Sequence, residues 1–140
     1  MTPSRTALAA ASALAATALL AGCGSDDVSS AHTTACRTYL LKAQPSGEAS
    51  AQLVHYANGE VAGEDVAAEL AAIRAAATTA GLTTNLPDKD FNRYRVLSQA
   101  ADALTTKVIA SEAGSEGSTV GVTASAPVVS AMKSIESSCG

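Results

Sequence analysis

The chain has 140 residues, which is enough for one domain and too few for two of ordinary size. Hydrophobic residues make up 47% of it but aromatic residues only 3%, and small, helix-favouring alanine dominates the hydrophobic fraction, so we expect closely packed helices around a thin core. The net charge of −4, with no basic run, argues against nucleic-acid binding through phosphate neutralisation.

The N-terminus has the organisation of an export signal. Arg5 precedes an uncharged, largely apolar run over residues 7–20. This is the length of a signal-peptide core and is shorter than the about 20 apolar residues that a membrane-spanning helix needs. One interpretation is cleavage by a general signal peptidase after a small residue such as Ala16 or Ala18.

A second interpretation depends on the residues that close this run, Leu20-Ala21-Gly22-Cys23. They resemble the lipobox of bacterial lipoproteins, in which an aliphatic residue and two small residues precede an obligatory cysteine. The resemblance covers roughly the first 23 residues. It implies that the Cys23 thiol is linked to diacylglycerol and that cleavage after Gly22 makes Cys23 the mature N-terminus.

The lipobox interpretation divides the chain into three parts. Residues 1–22 are a signal peptide that is removed, residues 23–30 are the lipidated cysteine and a flexible tether, and residues 31–140 are the folded domain. We then expect the protein at the cell membrane, lipid-anchored on its extracytoplasmic face. The alternative is a secreted protein with a free Cys23 thiol.

The cysteine count agrees with lipidation. The chain has three cysteines, so modification of Cys23 leaves Cys36 and Cys139, near opposite ends of the domain. Outside the cytoplasm such a pair is typical of a disulfide, and two buried free thiols are the alternative. Neither His32 nor His55 has metal-ligand spacing with a cysteine, and we predict no metal site and no cofactor.

Apolar residues at helical spacing predict five helices, over residues 31–43, 48–57, 64–80, 88–113 and 126–139. No segment shows a sustained period of two. Cys36 and Cys139 can meet only after an even number of passes along a bundle, so the short helix 48–57 cannot be a full pass. The predicted fold is therefore all-α: a small up-down bundle of four principal helices plus one short helix, closed by a disulfide between the first and last helices. Ser125 is the expected cap of the last helix.

The apolar stripes of the helices also predict which residues form the core. The stripe positions, in chain order, are Cys36, Leu40 and Ala43 with Tyr39 beside them; Val66, Leu70, Ile73, Ala77 and Ala80; Phe91, Tyr94, Leu97, Ala101, Leu104 and Val108; and Val128, Met132, Ile135 and Cys139.

Catalytic patterns are absent from the sequence. There is no GxSxG, SxxK or glycine-rich phosphate loop, and we expect no enzyme activity. His55 is expected on a helix surface, and His32 in solvent beside the tether. The acidic residues Glu64, Asp65 and Glu69 are expected at a solvated helix start, where their charge suits the helix dipole.

The front of the long helix carries the one candidate binding surface, a patch of Phe91, Arg93, Tyr94 and Arg95. Tyrosine and arginine are enriched at protein interfaces, so the patch is a candidate docking surface for an envelope protein. The alternative is local ion pairing of the arginines, with Phe91 and Tyr94 in the core.

Two functions follow as expectations, and a third alternative, an enzyme, would require titratable groups such as His55, Glu60, Glu64 and Asp65 to converge in a cleft. The first is a non-enzymatic binding or scaffold module at the cell envelope, whose partners are the membrane, through the lipid, and an envelope protein. The second is a carrier or sensor of a small ligand or lipid, with a cavity that small alanines leave between facing helices.

Overall fold

The computed structural model describes residues 25–113 and 120–140. Over these ranges the chain forms five α-helices and one short 3-10 helix, and no strand. The helices are α1 (Ser25–Leu40), α2 (Ser46–Ala57), α3 (Gly63–Gly81), α4 (Asp88–Ala113), the 3-10 helix (Val122–Ser125) and α5 (Ala126–Cys139). The all-α class is confirmed, and α4 and α5 have the predicted bounds.

Four helices form the bundle. In the order α1, α3, α4 and α5 each packs against the next, and α5 closes the ring on α1. The short α2 packs against α3, α5 and the 3-10 helix. The prediction of four principal helices and one short helix is thus confirmed.

Side-chain pairs show that α3 and α4 are antiparallel. Arg74 forms an ion pair with Asp102, and the hydroxyl of Thr78, one turn later on α3, lies 3.2 Å from that of Ser98, one turn earlier on α4. Gly81, at the end of α3, faces Tyr94. The two helices therefore run in opposite directions, as an up-down bundle requires.

The predicted disulfide joins α1 to α5. Cys36 and Cys139 are bonded, with their Cα atoms 5.6 Å apart and 103 positions apart in sequence. Cys139 is the last residue of α5, so the bond ties the end of that helix to α1. The first and last helices are held together covalently, as the cysteine arithmetic predicted.

The first helix begins earlier than predicted. It starts at Ser25, so most of the stretch that we expected to be a flexible tether, residues 23–30, is helical. The Thr33 hydroxyl donates to the carbonyl of Ser29, one turn earlier, at 2.9 Å.

Two predicted core stripes are each wrong at one position. On α1, Tyr39 is buried and Leu40 is exposed. On α4, Asp90 is buried and Phe91 is exposed, so the buried stripe is Asp90, Tyr94, Leu97, Ala101, Leu104 and Val108. Neighbouring positions on a helix lie about 100° apart, and the packing of the adjacent helices selects between them.

The rest of the core follows the predicted stripes. Leu97, Met132 and Ile135 are fully buried, and the helices also bury alanines completely, among them Ala77 and Ala101. Among the described residues, no helix is long and apolar enough to cross a membrane.

Ser125 occupies the N-cap position of α5, as predicted, but its side chain makes no capping hydrogen bond. Ser125 is the last residue of the 3-10 helix, and its hydroxyl donates to the carbonyl of Val122 at 2.6 Å rather than to α5. The 3-10 helix leads directly into α5, and this local turn uses the hydroxyl that would otherwise have been available for capping.

Candidate functional site

The predicted patch on α4 is divided by the fold into an outer and an inner part. Phe91 is 44% exposed, and Arg95, one turn further along α4, is also exposed. Tyr94 is buried, and Arg93 is half-buried and turned toward Asp90. Of the four predicted patch residues, Phe91 and Arg95 are therefore the two that are exposed to a partner.

The outer part borders a shallow groove between the end of α3 and the start of α4. Its walls include Ala77, Gly81, Leu82, Phe91, Tyr94 and Arg95. The volume is about 170 Å³, which is below the about 300 Å³ at which ordinary small-molecule pockets begin. The groove thus has room for one or two side chains of a partner and not for a drug-sized ligand.

The groove presents apolar surface beside one positive charge. Leu82, which directly follows α3, is 76% exposed, and Phe91 lines the same groove from α4. No acidic side chain of the described residues lies within ion-pair distance of the Arg95 guanidinium. Leu82 was not predicted as part of this surface, because it lies in a loop where helical periodicity gives no signal.

The inner part of the patch, Arg93 and Tyr94, belongs to a cluster of polar side chains beside the Cys36–Cys139 disulfide. Asp90, 8% exposed, accepts a hydrogen bond from Arg93 Nη1 at 2.6 Å on one carboxylate oxygen. Its other oxygen lies 2.8 Å from Nδ1 of His32, on α1. The expectation that His32 is solvated beside the tether was wrong, because the face of α1 that carries it packs against α4 and α5.

His32 faces acceptors on both ring nitrogens. Nε2 lies 3.0 Å from the carbonyl oxygen of Ser138, on α5, and 3.6 Å from Cys36 Sγ. An imidazole with hydrogens on both nitrogens donates to Asp90 and to Ser138 at once, whereas a neutral ring has only one hydrogen to donate. The cluster therefore joins α1, α4 and α5 next to the disulfide.

Tyr94 completes this cluster. Its hydroxyl donates to Cys36 Sγ at 3.8 Å, and its ring packs against that of Tyr39 with centroids 5.9 Å apart. Burial, together with the nearby Asp90 charge, raises the pKa of Tyr94 to about 12. The phenol therefore keeps its hydrogen, and remains a donor to the sulfur, at any neutral or moderately alkaline pH.

His55 forms a pair with Glu60 on the surface. Its Nδ1 contacts Oε2 of Glu60, and about half of each side chain is exposed. This hydrogen bond lowers the pKa of the Glu60 carboxyl.

The acidic residues of α3 are in solvated positions. Glu64 and Asp65 lie exposed in the first turn of α3, and Glu69 accepts a hydrogen bond from Gln44 at 3.3 Å. These acidic groups have the solvated positions that the sequence predicted, and they form no enclosed cleft with His55.

The interior between α2, α4 and the 3-10 helix is filled. Leu53, Tyr56, Leu104 and Val108 meet Val122 there and leave no volume for even one water molecule. The side chains therefore close this one junction between helices.

Cys23, the predicted lipid-attachment residue, lies outside the described residues, as does the whole predicted signal peptide. Within residues 25–113 and 120–140, no group of three or more His, Cys, Asp or Glu side chains is arranged to hold a metal ion. Comparisons of the chain with protein-family models, curated proteins and solved structures found no match.

Proposed function

We propose that this protein is a lipoprotein anchored through Cys23 to the extracytoplasmic face of the cell membrane, and that its helical domain binds an envelope protein through the groove beside Phe91. The anchor rests on the Leu20-Ala21-Gly22-Cys23 sequence that closes the apolar run. The binding role rests on one observation: Phe91 and Leu82 expose apolar surface on both sides of the same groove.

Lipid supplies the attachment to the membrane in this proposal. Burial of acyl chains contributes about 0.8 kcal/mol per CH2 group, and two chains give stable anchoring where one does not. Helix α1 starts at Ser25, two positions after Cys23, so the link between lipid and helix is short. The domain is therefore held close to the membrane, where it meets other membrane-bound or periplasmic proteins.

The groove favours a particular chemistry in the partner. A side chain such as leucine or methionine fits its volume, and an adjacent carboxylate would pair with Arg95. Aromatic and arginine residues are enriched where interfaces gain most of their binding energy. We therefore propose as occupant a protein segment that presents an apolar side chain next to an acidic one.

The anchor is tested by Cys23→Ala. Without a lipid acceptor the protein should move from the membrane fraction to the soluble fraction, and high-salt washing separates lipid anchoring from charge attraction. The double variant Cys36→Ala/Cys139→Ala is the matched control, since it keeps the lipobox and should stay in the membrane fraction. A Cys23→Ala protein that remains membrane-bound after the wash contradicts the anchor.

The groove is tested by a photo-crosslinking residue placed at Leu82 in living cells. The same residue at Val122, an exposed position in the 3-10 helix, is the control. We expect a discrete crosslinked product from Leu82 and none from Val122. Phe91→Ser and Arg95→Glu should each reduce the Leu82 product about tenfold, as for interface residues worth more than 1 kcal/mol. Equal products from both positions, or insensitivity to both variants, would rule out this groove as the docking surface.

A further inference from the structure

The two sulfurs of the disulfide have different surroundings. Cys36 is 6% exposed, and its Sγ accepts a hydrogen bond from the Tyr94 hydroxyl at 3.8 Å. His32 Nε2 lies 3.6 Å from the same sulfur and 3.0 Å from the carbonyl oxygen of Ser138. Cys139 is partly exposed at the end of α5, and its contact with a polar side chain is the Ser138 hydroxyl at 4.0 Å. Cys139 is thus the more exposed of the two residues, and Cys36 is the one with a tyrosine hydroxyl and an imidazole beside its sulfur.

This asymmetry matters because of how disulfides exchange. A thiolate attacks one sulfur, and the other leaves as a thiolate, faster when that leaving thiolate is stabilised. Cationic neighbours and hydrogen-bond donors stabilise thiolates. The surroundings of Cys36 are those of a good leaving group, and the exposure of Cys139 is that of an attacked sulfur.

His32 is held in the orientation that this role needs. Asp90 lies 2.8 Å from Nδ1, which leaves Nε2 beside both the Ser138 carbonyl oxygen and Cys36 Sγ, and Arg93 fixes the other oxygen of Asp90. His32 and Cys36 are one turn apart on α1, which places both on the same face of the helix. The Asp90 carboxylate thus contacts the His32 imidazole, and the imidazole lies beside the Cys36 sulfur, which is the order of groups found where a side chain is activated by an oriented histidine.

We propose that the Cys36–Cys139 disulfide is a reversible thiol-exchange site, opened by attack of an external thiolate on Cys139 and assisted by His32 and Tyr94 at Cys36. The incoming sulfur forms a bond to Cys139 Sγ as the Sγ–Sγ bond breaks. The electron pair of that bond stays on Cys36, which leaves as a thiolate that accepts hydrogen bonds from His32 and Tyr94. Asp90 is a positioning residue.

The partner class follows from the products. A single thiol leaves a mixed disulfide on Cys139, whereas a dithiol completes the reduction. The second thiolate of the dithiol attacks the dithiol's first sulfur, which is bonded to Cys139 in the mixed disulfide. Cys139 leaves as a thiolate, the dithiol becomes a disulfide, and two electrons pass from the dithiol to the protein. The proposed co-reactant is therefore a protein dithiol at the same face of the membrane. The location of this co-reactant rests on the proposed lipid anchor, whereas the exchange chemistry depends only on the disulfide cluster, whose Tyr94 also lines the groove.

The test uses glutathione as the probe on the oxidised full-length chain carrying Cys23→Ser, so that only Cys36 and Cys139 can react. After acid quenching, mass spectrometry of peptides locates the adduct. We expect glutathione on Cys139 in at least about tenfold excess over Cys36, and Cys36 as the free thiol. His32→Ala and Tyr94→Phe should each slow exchange about three- to tenfold, the loss of part of a hydrogen bond to a charged group. His55→Ala, which changes the only other histidine, should leave the rate unchanged.

A spectroscopic measurement separates this role from mere stabilisation of the fold. In a Cys23→Ser/Cys139→Ser chain, Cys36 is the only thiol, and its thiolate absorbs in the ultraviolet. We expect this absorbance at neutral pH to fall when His32→Ala or Asp90→Asn is added, with the helical circular dichroism retained. Adducts found mainly on Cys36, exchange no faster than global unfolding, or a Cys36 absorbance insensitive to both substitutions would each overturn the proposal.

Discussion

Two tyrosine hydroxyls in the core differ in whether they have a hydrogen-bond partner. The Tyr56 hydroxyl lies 2.8 Å from that of Ser111, which itself donates to the carbonyl of Val108. The Tyr39 hydroxyl is buried and has no partner among the described residues. Burial and the negative charge of Glu136 raise the pKa of Tyr39 above its ordinary value, so this hydroxyl stays neutral. An unpaired buried hydroxyl lowers the stability of the fold, whereas a paired one does not.

Substitution of the two tyrosines by phenylalanine should therefore have opposite results. Tyr39→Phe removes the unpaired hydroxyl and should leave the free energy of unfolding unchanged or raise it by up to about 1 kcal/mol. Tyr56→Phe leaves Ser111 without this partner and should lower it by about 1 kcal/mol. Urea titration of the two variants measures both values, and an equal loss in the two would contradict the assignment.

At the scale of elements, α2 is capped by another helix. Pro45 precedes α2 and makes no side-chain hydrogen bond to it. Glu136, on α5, instead accepts the backbone N–H of Ser46 at 2.7 Å and the Ser46 hydroxyl at 2.6 Å. A carboxylate at this end of a helix satisfies an otherwise unpaired donor and suits the helix dipole. The short helix is thus attached to the bundle through its own N-terminus.

Removal of this cap should loosen α2 in particular. We expect Glu136→Ala to lower the free energy of unfolding by about 2 kcal/mol and to speed hydrogen exchange of the first amides of α2. Glu48→Ala, an exposed acidic residue in the same turn, is the control and should cost less than 1 kcal/mol, or about the value of a dipole interaction. Uniformly faster exchange across all helices in Glu136→Ala would argue against a local cap.

At the scale of the whole molecule, the disulfide closes the chain around its core. The core contains many alanines, which bury little area each, and the bond spans 103 positions. In the chain-entropy model, a closed loop of about 100 residues is worth about 4.7 kcal/mol, because the unfolded chain loses conformational freedom. A large part of the stability of this small domain therefore comes from one covalent bond.

The double variant Cys36→Ala/Cys139→Ala should retain its helical circular dichroism but lose about 3–5 kcal/mol of unfolding free energy. Urea unfolding of this variant and of the oxidised protein, followed by circular dichroism, gives the difference. A loss below about 1 kcal/mol would show that the unfolded chain is little constrained by the bond.

The candidate groove was predictable in part. Phe91 and Arg95 stood out because an aromatic and a basic residue lie one turn apart near the start of a long helix. The same reasoning also included Tyr94 and Arg93, which the fold turns inward. The burial of Asp90 was predictable from its position, since it lies four residues before Tyr94, at the spacing of the buried stripe. An acidic residue at a core position indicates a buried partner for its charge.

The amino-acid order alone was sufficient for the all-helical class, the bounds of α4 and α5 and the pairing of Cys36 with Cys139. These depend on local periodicity and on a count of cysteines. The meeting of His32 with Asp90, the exposure of Leu82 and the choice of Tyr39 over Leu40 for the core depended on the packed bundle. His32 and Asp90 are 58 positions apart, and no local pattern relates residues on different helices. Periodicity fixes a helix face only to within about one residue, and the neighbouring helices determine which side chain of that face is buried.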